Sequence, residues 1–132
     1  MSRVQAPAGH VTIVFTDIED SSRMTLALRE TYREKLLPEH NLRMRAAVAA
    51  HNGYVVKTIG DSFMLTFAQA SDAVNCARAI QAAISNPPIA ASDDTGKAWT
   101  LRVRIGIHQG RVARTNASVS TVGAPPSSRP LA

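Results

Sequence analysis

The chain predicts an α+β fold, an antiparallel sheet with helices on one face, in the split βαβ or ferredoxin-like order strand, helix, helix, strand, strand, helix, strand. Three observations carry that expectation. Val11 to Ile18, Tyr54 to Thr58, Ser62 to Phe67 and Leu101 to His108 are stretches of strand length, rich in β-branched and aromatic residues. A short link through Gly60 joins the middle two as a hairpin. The intervening stretches carry apolar residues at helical spacing between start and stop signals.

The elements follow in order. Met1 to His10, with Pro7 and Gly9, reads as a disordered lead-in. The first strand, VTIVFTDI, ends at Asp17 and Ile18 and runs into EDSSR, where Ser21 or Ser22 is the expected N-cap of a helix carrying Met24, Leu26, Leu28 and Tyr32. Glu19 and Asp20 suit the positive end of its dipole. Pro38 opens a second helix with Leu42, Ala46, Val48 and Ala49 on its apolar side, and Asn52-Gly53 ends it with a residue suited to a left-handed cap. After the hairpin, Ser71 is expected to cap a third helix whose apolar face is Val74, Ala77, Ile80 and Ile84, stopped by Asn86-Pro87-Pro88. A loop with Asp93, Asp94 and Gly96 leads through Trp99 to the last strand. There Leu101, Val103, Ile105 and Ile107 alternate with Arg102, Arg104, Gly106 and His108. Residues 111–132, rich in Ser, Thr, Ala and Pro, read as a disordered tail.

At 132 residues the chain is one domain at most. Its apolar runs fall short of the roughly 20 residues a membrane span needs, and MSRVQAPAG lacks a signal-peptide core, so no membrane segment is expected. The single cysteine, Cys76, excludes an internal disulfide and fits a reducing, cytoplasmic compartment. Its neighbours Ala73, Val74, Ala77 and Ile80 make it a small core residue. The formal charge of +5 comes from Lys and Arg spread along the chain, with no dense cluster and little aromatic interleaving. That distribution argues against nucleic acid as a partner; a nucleotide phosphate satisfies the same charge.

In this topology the first strand lies antiparallel beside the third, so the end of one neighbours the start of the other. Asp17 and Asp61 stand at those two places. Either alone reads as a helix-capping acid or a turn residue. Together, beside the phosphate-receptive turn at Asp20 to Ser22, they read as a site for Mg2+ and phosphate oxygens. Two such ions can activate a hydroxyl and stabilise a leaving pyrophosphate. His40, His51 and His108 have no ligand-like spacing and read as surface or helix-end residues, while His10 falls in the lead-in.

The segments VTIVFTDIEDSS, HNGYVVKTIGDSFMLTF and LRVRIGIHQG, between Val11 and Gly110, resemble the class III nucleotidyl cyclase catalytic domain. The details look most like the protozoan and fungal adenylyl cyclases. The resemblance implies an incomplete nucleotidyl cyclase core over residues 11–110, converting ATP to cyclic AMP and pyrophosphate with two Mg2+ or Mn2+ ions in intracellular signalling. It implies Asp17 and Asp61 as the catalytic, metal-binding aspartates, with the Ile18 carbonyl as a further ligand. Glu19, Asp20, Ser21 and Ser22 would cradle the triphosphate through their backbone, although the family often has glycine where this chain has Asp20. Lys57 matches the lysine that reads adenine, where guanylyl cyclases usually carry glutamate.

The family works as a head-to-tail dimer with its sites at the interface. A homodimer, or a heterodimer with another cyclase domain, is therefore implied, with Lys57 and Asp61 serving different sites. The family pattern stops at Gly110. A second base reader, and the asparagine and arginine of a later family helix, find no counterpart, since Arg114 and Asn116 lack the surrounding motif. The chain thus reads as a cyclase domain cut short or altered at its end and impaired alone, cytoplasmic, from a parent that can be membrane-anchored. The alternative is a catalytically inactive cyclase-like module that binds nucleotide and metal or serves in dimerisation.

Overall fold

The strand-like stretches pair into the expected antiparallel sheet. The computed structural model describes residues 9–114, 119–122 and 130–131. Its strands are β1 (Gly9–Ile18), β2 (Tyr54–Ile59), β3 (Ser62–Phe67), β4 (Ala90–Ser92), β5 (Ala98–Thr100), β6 (Val103–Arg114), β7 (Val119–Val122) and β8 (Pro130–Leu131). The large sheet runs β2-β3-β1-β6-β7, with β8 pairing β6 at Ile105 and Gly106. Its first four members reproduce the ferredoxin-like order, and β1 is antiparallel to both neighbours.

Period-two alternation splits the core between the two sheet faces. Val14 and Ile18 join the main core with Leu65, Phe67 and Ile105, against the helices. Val11 and Ile13 pack with Met64, Tyr54 and Val56 in a second cluster. Phe15 and Asp17 share the parity of that second set, so Asp17 belongs to the face turned away from the helices.

The helices are α1 (Ser21–Leu28), α2 (Leu37–Ala50) and α3 (Ala70–Ser85), with a π-helical turn over Tyr32–Leu36 running directly into α2. Pro38 therefore does not open its helix. It lacks the N–H for a bond to Glu34 and its ring crowds that carbonyl, and the wide turn just before it lets the helix pass both obstacles. Continuity across the proline moves the buried face. Tyr32, Leu36, His40 and Met44 form a row at steps of four that continues into Ala47 and Val48. Leu42 is 66% exposed, and Ala46 and Ala49 are exposed with it, so only Val48 of the expected apolar side is buried. His40, expected at the surface, is fully buried.

On α3 the buried face is Ala73, Cys76, Ala77, Ile80 and Ile84, while Val74 points outward. Cys76 is the core residue expected; burial pushes its thiol up to about 11. The caps differ from expectation. Asp20 precedes α1 and Gln69 precedes α3, neither with a side-chain cap, so Ser21, Ser22 and Ser71 fall inside their helices. After α2 the left-handed residue is Asn52, at φ 60°. Gly53 is required instead by packing, because a Cβ there would come within 2.7 Å of the Phe67 ring and of Val48.

The expected loop around Asp93 is a small hairpin, β4 with β5. Asp93 closes it by accepting from Thr95 Oγ1 (2.6 Å), Trp99 Nε1 (3.0 Å) and the Thr95 and Lys97 amides, bonds that hold its carboxyl well below the usual range. His10 lies in β1 rather than in a lead-in. At the other end β6 continues to Arg114 and pairs with β7, where a disordered tail is expected; Val119, Thr121 and Val122 supply the β-branched residues that the polar composition obscures. The remainder of the expected lead-in and tail lies outside the described residues.

Candidate active site

Asp17, near the end of β1, faces Arg104 of β6 as its direct cross-strand partner. The guanidinium grips the carboxylate with two bonds, Nε to Oδ1 at 2.9 Å and Nη2 to Oδ2 at 3.0 Å. This is the bidentate fork that makes Arg–carboxylate pairs directional. The bonds to Asp17, then its charge, raise the Arg104 pKa further, with smaller contributions from Glu19 and Asp20.

Asp61 occupies the two-residue turn between β2 and β3, after Gly60 at φ 59°. Its Oδ2 accepts a hydrogen bond from the Tyr32 hydroxyl at 3.1 Å. Burial, then the charge of Asp61 and this bond, push the Tyr32 phenol well above its ordinary value. Pairing of β1 with β3 runs from Thr12 opposite Phe67 to Thr16 opposite Phe63. Asp17 and Asp61 therefore stand at the same end of that ladder, the neighbourhood expected of them, but each is held by its own partner.

The candidate donors at this sheet end are hard oxygens, the carboxylates of Asp17 and Asp61, with the Ile18 carbonyl next to Asp17 in the chain. Among the described residues, no group of three or more His, Cys, Asp or Glu side chains could cage a metal. That donor set fits Mg2+ or Mn2+ arriving with phosphate oxygens, since Mg2+ is ordinarily held by one or two carboxylates plus substrate phosphates.

A cleft of about 290 Å³ brings Asp17, Arg104 and Lys57 together, with Phe15, Ile59 and Met64 as apolar walls; Asp61 stands outside its lining. Lys57 lies just past a bulge in β2, after Val55, and is exposed. Phe15 stacks on His108 with ring centroids 5.5 Å apart. Arg104 is the site residue that sequence reasoning missed. Alternation places it on the polar face of its strand, but nothing short of the register pairs it with Asp17.

Of the expected phosphate cradle, Glu19 already donates its N–H to the Arg102 carbonyl at 2.8 Å. Asp20 takes the left-handed conformation, φ 56° and ψ 30°, and turns the chain into α1. The first helical bond runs from the Met24 N–H to the Asp20 carbonyl at 3.0 Å. The N–H groups of Ser21, Ser22 and Arg23 thus have no acceptor within the helix, the condition for receiving an anion.

The family model described as the adenylate and guanylate cyclase catalytic domain matches residues 4–122. The match runs past Gly110, where the resemblance read from the sequence stops, and reaches the end of β7. An adenylate cyclase of Podospora anserina is 34% identical over 125 residues, covering 83% of this chain and 6% of that protein. A receptor-type adenylate cyclase of Trypanosoma congolense is 32% identical over 130 residues, covering 76% of this chain and 17% of that protein. The chain thus spans less than a fifth of the length of these curated relatives. The monomeric guanylyl cyclase domain of the RhoGC fusion protein from Blastocladiella emersonii superposes with a TM-score of 0.70 at 22% identity, over 93% of this chain and 78% of that one, a likeness of fold.

Proposed function

The chain belongs to the adenylate and guanylate cyclase catalytic domain family, and on that premise we propose that it is an adenylyl cyclase domain, forming cyclic AMP and pyrophosphate from ATP. One observation carries the reading: Asp17 and Asp61 come to the same end of the β1–β3 ladder, where the chain runs on from Asp17 into the Ser21 and Ser22 amides that open α1. Asp17, Asp61 and the Ile18 carbonyl would hold two Mg2+ or Mn2+ ions. Those ions, when bound, supply charge neutralisation and activation of the ribose 3'-hydroxyl.

The chain's own residues do the rest. Ser21 and Ser22 offer amides to the triphosphate, with Asp20 turning the chain toward it. Arg104 exchanges Asp17 for phosphate oxygens, keeping a charge-assisted fork in both states. Lys57 donates to an adenine ring nitrogen, an acceptor that guanine replaces with a donor, so ATP is preferred over GTP. A second cyclase domain, identical or different, would complete each site, with Lys57 of one chain facing the metal-binding aspartates of the other. Turnover should therefore be low for an isolated monomer. Among the described residues no helix is long and apolar enough to cross a membrane. ATP as substrate sets the domain in the cytoplasm, with any membrane anchor belonging to a longer parent.

The second reading is a cyclase-like module without turnover, favoured by the ion pair that occupies Asp17. Purified chain given ATP and Mn2+, alone and mixed with an intact adenylyl cyclase domain, separates the two. Cyclic AMP that rises on mixing and disappears in Asp17→Asn supports the enzyme. Nucleotide binding with no cyclic AMP under either condition supports the module.

A further inference from the structure

We propose that Tyr32 is the positioning residue for Asp61, fixing the orientation of its carboxylate from the core side through the phenol hydroxyl; this rests on the reading of Asp61 as a metal ligand. Asp61 sits on a two-residue turn beside Gly60 and the 66% exposed Ile59, a place where backbone alone leaves a carboxylate free to swing. Tyr32 comes from 29 residues earlier, is 4% exposed, and packs in the main core, so its ring cannot follow such a swing. Its hydroxyl bonds to Oδ2 alone, which leaves Oδ1 to a ligand. A buried phenol needs a partner for its O–H, and here the partner is a carboxylate, so the constraint acts both ways.

The backbone is arranged to the same end. Tyr32 opens the π-helical turn ahead of Pro38, and such turns re-aim side chains and recur at functional sites. Tyr32 also begins the buried row that continues through Leu36 and His40, and the His40 ring lies 5.9 Å from that of Phe63, two residues after Asp61. An outer hydrogen bond of this kind orients a ligating carboxylate and tunes its affinity, and its loss typically costs about 10- to 100-fold in metal binding.

The test is Tyr32→Phe, which keeps ring and volume and deletes one oxygen. Mn2+ binding is titrated by electron paramagnetic resonance on the full chain with a non-hydrolysable ATP analogue present, alongside Asp61→Asn and a thermal melt of each variant. The expected result is Mn2+ affinity at least about tenfold weaker in Tyr32→Phe, with a melting midpoint near that of the wild type, and near-complete loss in Asp61→Asn. Affinity within twofold of wild type in Tyr32→Phe, with loss in Asp61→Asn, overturns the role of Tyr32 and leaves the metal site standing. Unchanged affinity in Asp61→Asn overturns the metal-site reading and this proposal with it. Should Tyr32→Phe melt early, Leu36→Ala, in the same buried row, provides the comparison. A similarly destabilised Leu36→Ala that keeps its Mn2+ supports positioning, and one that loses it to the same degree overturns it.

Discussion

Arg104 and Asp17 are cross-strand partners joined by two parallel hydrogen bonds, and they line the cleft that the proposed substrate would enter. While Arg104 holds Asp17, the charge at the tip of β1 is neutralised. On the proposed function the pair would let one carboxylate serve two cations in turn: a metal taking Asp17 would release the guanidinium beside an entering triphosphate, so that metal and phosphate would favour each other's binding.

Arg104→Ala tests this exchange. The Asp17 side chain is 40% exposed and that of Arg104 50%, so solvent screens the pair and the melting midpoint should move little. ATP affinity should fall by at least about tenfold, because hydrogen bonds to charged groups are worth roughly 1.5–3 kcal/mol. Mn2+ affinity without nucleotide should rise, since Asp17 loses its competitor. Calorimetry with Mn2+ alone and with Mn2+ and ATP reads both effects, and unchanged ATP affinity would reduce Arg104 to a strand-pairing residue.

Asp20 offers a second test, because its left-handed φ of 56° is a conformation that glycine adopts freely. Relief of backbone strain in Asp20→Gly, about 1 kcal/mol, is offset by a similar gain in unfolded-chain entropy. Stability should therefore change little. Phosphate affinity should increase severalfold, since the substitution removes a negative charge from the helix start proposed to receive the triphosphate. A thermal melt and an ATP titration check the two halves. An ATP affinity that falls would mean the Asp20 side chain supports the turn rather than obstructing it.

The elements that were legible in the sequence are those where one short pattern decides. Alternation in VTIVFTDI and SFMLTF, with the tight Gly60 turn, sufficed to bring Asp17 and Asp61 to one end of the β1–β3 ladder. The second helix was less legible, because Leu42, Ala46 and Ala49 make a plausible stripe within the segment that Pro38 marks off in the sequence. The true row begins before the proline, at Tyr32, and is masked by a buried histidine at its centre. For the same reason Tyr32 carried no signal as a partner of Asp61: their bond depends on a π-helical turn that no residue pattern announces. Arg104 was hidden differently, in plain alternation, its meaning supplied only by the partner opposite it.

His40 gives the last prediction, a pH dependence of folding. It is fully buried, with Nδ1 2.8 Å from the Asn41 amide oxygen and Nε2 without a hydrogen-bond partner. Burial lowers its pKa from 6.5, and the Asn41 bond and the Asp61 charge only partly oppose the shift. The neutral ring is thus the folded form. Between pH 6.5 and the lower folded-state value the unfolded chain binds more protons at this position than the native one. Stability is then fully present above pH 6.5 and falls as the pH drops through that window, with a limiting slope of about 1.4 kcal/mol per pH unit for one proton. Urea unfolding between pH 8 and pH 5 should show the decline, and His40→Leu, which removes the titrating ring while keeping an apolar side chain in the row, should flatten it. An equal slope in the variant would assign the acid sensitivity to other groups and leave His40 as packing alone.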